Sequence, residues 1–120
     1  MTEERKLAPK QRMRNKPSSA GRLDGLIEEA IVDAYSESEQ RVGFLTMLEE
    51  NLALPFRTAI LGFEVSVDRI DMTDDEQIVA VCSRGKMRQR VPILDLPLSD
   101  PPPDGVEWIE AFRRWSMGGR

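Results

Sequence analysis

The 120-residue chain contains no histidine and a single cysteine, Cys82. Without imidazole there are no histidine-based triads, no Cys–His pairs and no histidine metal ligands. One thiol forms no internal disulfide, and with no histidine beside it there is no zinc site. This cysteine usage points to a reducing, cytoplasmic setting. Aromatics are also scarce, at two Trp, one Tyr and four Phe. They are too few to line the sugar cleft that a carboxylate-pair glycosidase requires. The phosphate-cradling and nucleophile-elbow patterns GxGxxG, GxxxxGK[ST] and GxSxG are missing, so a non-enzyme is expected. No stretch approaches the roughly 20 apolar residues that span a bilayer, and the N-terminal region lacks a signal-peptide apolar run. Neither secretion nor membrane insertion is expected.

What the chain does have is charge, segregated along its length. Residues 1–22 carry seven cations, Arg5, Lys6, Lys10, Arg12, Arg14, Lys16 and Arg22, against Glu3 and Glu4. The remainder is strongly acidic, and the formal net charge is −4. Residues 1–21 are rich in Lys, Arg, Pro, Ser and Gly, with too few large apolar side chains to offset the entropy of ordering. They read as a disordered basic tail ahead of a single domain over 22–120. Such a tail attracts phosphate, but it has no aromatics to stack bases and the body is acidic, so nucleic acid is not an expected partner.

Apolar residues at Leu23, Leu26, Ile27, Ala30, Ile31, Ala34 and Tyr35 predict one buried helix face. Ser36 with Glu39 fits a capping box, predicting a second helix through Val42, Leu45 and Leu48 to about Asn51; one bent helix is the alternative. Beyond Pro55 the period changes to two. Phe63, Val65 and Val67 alternate with Glu64, Ser66 and Asp68, a strand with one wet face. Asp71 to Glu76 reads as a polar loop, and Gln77 to Ser83 as a central strand. Arg84-Gly85-Lys86 reads as a tight turn, and Met87 to Val91, followed by Pro92, as an edge strand. Residues 96–103 are extended by proline, and Val106, Ile109, Phe112 and Trp115 give a final helix from near Asp104. The fold class is therefore α+β: an N-terminal helical pair, a small antiparallel sheet or partly open barrel, and a C-terminal helix.

Eight carboxylates between Asp24 and Glu50 face one cation, Arg41. Carboxylates crowded on one surface repel each other, so a hard divalent cation or a basic partner that neutralises them is stabilising. Calcium suits such a surface best, because it takes six to eight oxygens in irregular geometry and needs neither nitrogen nor sulfur. Two groups qualify. In the helical group Glu29, Asp33 and Glu37 are spaced by four, and Glu49 and Glu50 could approach if the chain reverses near Ser36. The loop group is Asp71, Asp74, Asp75 and Glu76. Neither matches the EF-hand pattern, which needs a central glycine and a bidentate Glu at position twelve. The open alternatives are solvated acidic faces, or an acidic face presented to a basic protein partner of unknown identity.

Ile31-Val-Asp-Ala-Tyr-Ser-Glu-Ser-Glu-Gln40, Gly43-Phe44, Met47-Leu-Glu-Glu-Asn-Leu52 and Pro55-Phe56 together resemble the core segment of the cyanobacterial-type calcium-binding protein family. Val79-Ala-Val-Cys-Ser-Arg-Gly85, Val91-Pro-Ile-Leu-Asp-Leu96 and Trp108-Ile-Glu-Ala-Phe-Arg-Arg-Trp115 are similar to bacterial members of that group. The resemblance covers roughly residues 23–115. It implies a small α+β protein that binds Ca²⁺ as buffer or sensor, without catalysis. Asp33, Glu37, Glu39, Glu49 and Glu50 are the contributors it suggests, with Asp71, Asp74, Asp75 and Glu76 as a second group.

Overall fold

The computed structural model describes residues 19–118. The expected disordered tail over residues 1–21 thus falls mostly outside the described residues, and the first helix, α1, spans Ser19–Ile31. The second, α2, spans Glu37–Asn51. The alternative of one bent helix is excluded, because Ser36 is extended at φ −124° and ψ 163° and caps α2. Asp33, at φ 63°, turns the chain between the helices. The apolar stripe predicts helix through Tyr35. Tyr35 is instead 87% exposed, and its N–H is held by the α2 cap.

Four strands follow: β1 (Phe56–Ile60), β2 (Phe63–Met72), β3 (Ile78–Arg84) and β4 (Met87–Pro92). They form one open antiparallel sheet in the order β1-β2-β3-β4, so the barrel alternative is not realised and β4 lies at an edge. β2 outruns its expected end and takes Asp71 and Met72 into the sheet. β1 carries the same alternation over five residues, Phe56, Thr58 and Ile60 against Arg57 and Ala59, but is short enough to be missed. Its one buried polar side chain, Thr58, is satisfied by donating to the Pro97 carbonyl at 2.7 Å. A register shift between Val67 and Arg69 places Asp68 at a bulge. A 3-10 turn at Ile93–Asp95 leads through the proline-rich stretch to α3, Glu107–Ser116.

All three helices join the inner face of the sheet in one core. Ile27, Phe44, Leu48, Trp108, Ile109 and Phe112 meet Val67, Ile70, Ala80 and Cys82. Phe44 is fully buried, with the rings of Phe112 and Trp115 each 5.3 Å away. Aromatic pairs at this spacing add about 0.5–1.5 kcal/mol beyond area burial. Gly43 lets α1 and α2 touch: a Cβ there would lie 2.1 Å from the Ala30 carbonyl oxygen. Gly105, at φ 91°, comes equally close to the Asn51 carbonyl, seating the start of α3 against the end of α2. Asp24 of α1 and Arg114 of α3 tie the two helices with a 2.8 Å ion pair.

The outer face of the sheet is wet. Arg69 and Arg90 flank Val81 on either side, in register. Their stems account for Val81 being 5% exposed on a face that none of the helices among the described residues covers.

Candidate metal centre

The α2 cap organises the first turn of the helix and decides which acids remain available. The Ser36 hydroxyl accepts from Glu39 N–H at 3.1 Å, while Glu39 Oε1 accepts from Tyr35 N–H at 2.7 Å and Ser36 N–H at 3.1 Å. This is a reciprocal capping box, so one carboxylate oxygen of Glu39 is engaged by backbone. Glu37, one turn ahead of Arg41, receives its guanidinium at 2.6 Å.

The β2–β3 turn reaches the same place from the other side of the molecule. Glu76 N–H donates to the Thr73 carbonyl at 2.9 Å, and Gln77 N–H to the Thr73 hydroxyl at 3.0 Å. The Thr73 hydroxyl in turn donates to Asp75. Glu76 adopts φ 66°, which turns its side chain toward α2. There its Oε2 accepts from the Ser38 hydroxyl at 2.6 Å, and its Oε1 lies 3.7 Å from Arg41 Nη1. Two carboxylates from segments 39 positions apart therefore share one guanidinium, and Asp75 lines the cavity next to Arg41 and Glu76.

Arg41 also faces inward. Its guanidinium sits 5.6 Å from the Trp115 ring centroid, and Trp115 Nε1 donates to Gln40 Oε1 at 2.9 Å. A cation held over an indole is attracted by about 0.5–2 kcal/mol, depending on its exposure. The acid pair is thus connected through one side chain to the aromatic cluster of the core.

The other sequence-derived candidates are distributed elsewhere. Asp33 occupies the α1–α2 turn and Asp74 the tip of the β2–β3 turn, both exposed. Glu49 is twelve residues along α2 from Glu37, about 18 Å at 1.5 Å per residue, and Glu50 lies beside it. Both are exposed at the far end of the helix. The chain does reverse near Ser36, but that carries Glu49 and Glu50 away from the turn. Asp71 lies on the outer face of the sheet, 3.9 Å from Arg69 and 3.8 Å from Arg90. Among the described residues no three or more His, Cys, Asp or Glu side chains converge as metal ligands. The donors near Arg41 have the right chemistry for a hard cation, all of them oxygen. They hold two carboxylates at one point, short of the six to eight oxygens of a full calcium shell.

In sequence Arg41 reads as an opposing charge, and the structure makes it the bridge between Glu37 and Glu76. The i, i+4 spacing of Glu37 and Arg41 was a legible signal for half of that bridge. The Glu76 half depends on tertiary placement.

A family model described as calcium binding matches residues 24–116. No curated protein and no solved structure matches the chain.

Proposed function

The chain belongs to this calcium-binding family, and we propose that it binds Ca²⁺ through carboxylates at the junction of α2 and the β2–β3 turn, without an EF-hand and without catalysis. The observation that carries this reading is the pairing of Glu37 and Glu76 around a single positive charge, the Arg41 guanidinium. Two acids brought toward each other by folding repel, a cation between them relieves that repulsion, and Arg41 supplies such a charge within the chain.

Glu37 and Glu76 are the residues that would hold the ion, with Asp75 at the cavity wall and the Ser38 hydroxyl as a neutral oxygen. Asp33 and Asp74, on the two adjoining turns, are the acids best placed to add to them. Glu39 contributes chiefly through the cap, and Glu49, Glu50 and Asp71 act at other surfaces. Binding requires the guanidinium to release both carboxylates. The positive end of the α2 dipole also opposes a cation at this end of the helix. Both effects argue for modest affinity, with Kd on the order of 0.1–1 mM. At ten times Kd, a ligand that binds only the folded state adds about 1.4 kcal/mol to stability. Because Arg41 lies over Trp115, a move of the guanidinium alters the indole environment, which favours a sensing role over simple buffering.

Isothermal titration with Ca²⁺ and Mg²⁺, followed by Trp emission, tests this. Glu37→Gln and Glu76→Gln should each weaken Ca²⁺ binding severalfold or more, whereas Arg41→Gln should tighten it by removing the competitor. Absence of heat and of any thermal shift at millimolar Ca²⁺ would defeat the reading for this chain. Undiminished affinity in both glutamine variants would move the site elsewhere.

A further inference from the structure

The helices cover only part of the inner face of the sheet. Toward the two hairpin turns at 61–62 and 85–86 this face runs on past them, leaving Leu61 93%, Phe63 57% and Met87 74% exposed. Together with Ile60, Val65 and Val91 these residues line an open, mainly apolar shelf. The shelf ends at β4, which has β3 on one side and the sheet edge on the other.

Strand alternation sorts the side chains of β4 cleanly. Gln89 is paired with Cys82 and Val91 with Ala80, both core residues of the inner face, so Met87, Gln89 and Val91 face the shelf. Arg88 is paired with Ser83 and Arg90 with Val81 on the outer face. There, among the described residues, Arg69, Arg88 and Arg90 stand against Asp68 and Asp71, while Arg57 and Glu64 on the same face pair with each other. Asp71 is divided between Arg69 and Arg90 at distances near 4 Å. The edge therefore shows two apolar side chains, Met87 and Val91, on either side of the exposed Gln89 amide on one face, an excess of guanidinium on the other, and the backbone groups of an edge strand between them.

We propose that β4 and its shelf dock an extended segment of a partner protein in which apolar and acidic residues alternate. A strand added to an edge continues the two faces of the sheet, so its residues at i and i+2 lie beside Met87 and Gln89. Those at i+1 and i+3 lie beside Arg88 and Arg90. Apolar residues suit the first row, where Met87, Val91 and the shelf behind them supply apolar contact around the Gln89 amide, and carboxylates suit the second, so the period of the partner follows from the pleat.

The other occupants fit less well. A second copy pairing β4 with β4 sets Arg88 and Arg90 against their own counterparts, a like-charge contact. The segment preceding α1 is rich in Lys and Arg and has the same sign as the outer row. A nucleic acid strand would find Arg84 already 4.7 Å from the centroid of the Phe63 ring, the one exposed aromatic of the shelf, and an acidic body behind it.

The test is fluorescence polarisation with fluorescein-labelled heptapeptides, one alternating Leu and Asp and one alternating Leu and Lys. Chelator is present throughout, so the calcium site plays no part. The Asp peptide should bind saturably and at least tenfold tighter than the Lys peptide. The double variant Arg88→Glu/Arg90→Glu, both exposed positions, should invert that order, and Met87→Asp should weaken the Asp peptide severalfold. Circular dichroism confirms that each variant is folded. Absence of binding, equal binding of the two peptides, or a preference unchanged by the double variant would overturn the proposal. So would tighter binding of a single-stranded oligonucleotide. Wild-type self-association in sedimentation velocity that Met87→Asp abolishes would assign the shelf to a second copy and overturn it as well.

Discussion

Replacing Gly43 with alanine sets two known effects against each other, and the structure decides the sign. Alanine is favoured over glycine inside a helix by about 1 kcal/mol, so propensity alone makes Gly43→Ala stabilising. The new Cβ would stand 2.1 Å from the Ala30 carbonyl oxygen, well inside the 3.0 Å that real Cβ contacts essentially never breach. The obstacle is backbone of α1, which has no rotamer to change, so α1 and α2 must separate across a junction next to Phe44. Overpacking of this kind costs about 1–3 kcal/mol or more, and it outweighs the propensity gain. A net loss of about 1–2 kcal/mol is expected. Gly25, inside α1, meets nothing within 4 Å and is the internal control. Gly25→Ala should gain about 0.5–1 kcal/mol from propensity alone. Urea unfolding followed by Trp fluorescence measures both, and the variants should move in opposite directions from the wild type and differ from each other by about 1.5–3 kcal/mol. If Gly43→Ala is as stable as Gly25→Ala, the close approach of the helices is not as described and the argument fails.

Three other measurements probe separate parts of the molecule. Ser36→Ala removes the acceptor for Glu39 N–H and should cost about 1 kcal/mol, with Ser36→Asp recovering most of it in the same urea assay. Hydrogen bonds from Ser66 and Ser83, helped by Arg88 and Arg69, hold the Asp68 carboxyl below its ordinary value of 3.8. Its contribution to stability is therefore present above that value and is lost as pH falls through the lower folded value. Asp68→Asn should flatten that acid limb of the wild-type curve, and superimposable curves would contradict the assignment. Burial, reinforced by the charge of Asp68, pushes the Cys82 thiol up. Iodoacetamide at pH 8 should then label the native protein slowly and the urea-unfolded protein fast; rapid native labelling would show the strand is open.

Much of the fold was legible because it rests on local periodicity. The helical stripe from Leu23, the Ser36–Glu39 box and the alternation at Phe63 to Val67 each report a short-range preference that the structure keeps. The misses occurred where local preference was overridden. Tyr35 continues the apolar stripe, yet the cap takes its N–H and turns it to solvent. Asp71 and Met72 look like loop, yet pairing with Val79 and Ile78 holds them in β2. The candidate acids divide in the same way. Ser36 and Glu39 show from sequence why one acid is engaged as a cap, whereas nothing near Glu76 in the chain says that it meets Ser38 and Arg41.

Composition and pattern alone determined that this is an acidic α+β chain without histidine chemistry, whose carboxylates an oxygen-seeking cation, a basic partner or solvent would each suit. These properties depend on residue type and on spacings within one element, and the helix and strand periods turn such spacings directly into faces. Tertiary structure alone decided which carboxylates share a charge. Glu49 and Glu37 lie on one helix about 18 Å apart, while Glu76, 39 positions from Glu37, shares its guanidinium. Closure of the sheet onto the helices brings distant segments together, and only the packed core at Phe44 and Trp115 sets where they meet.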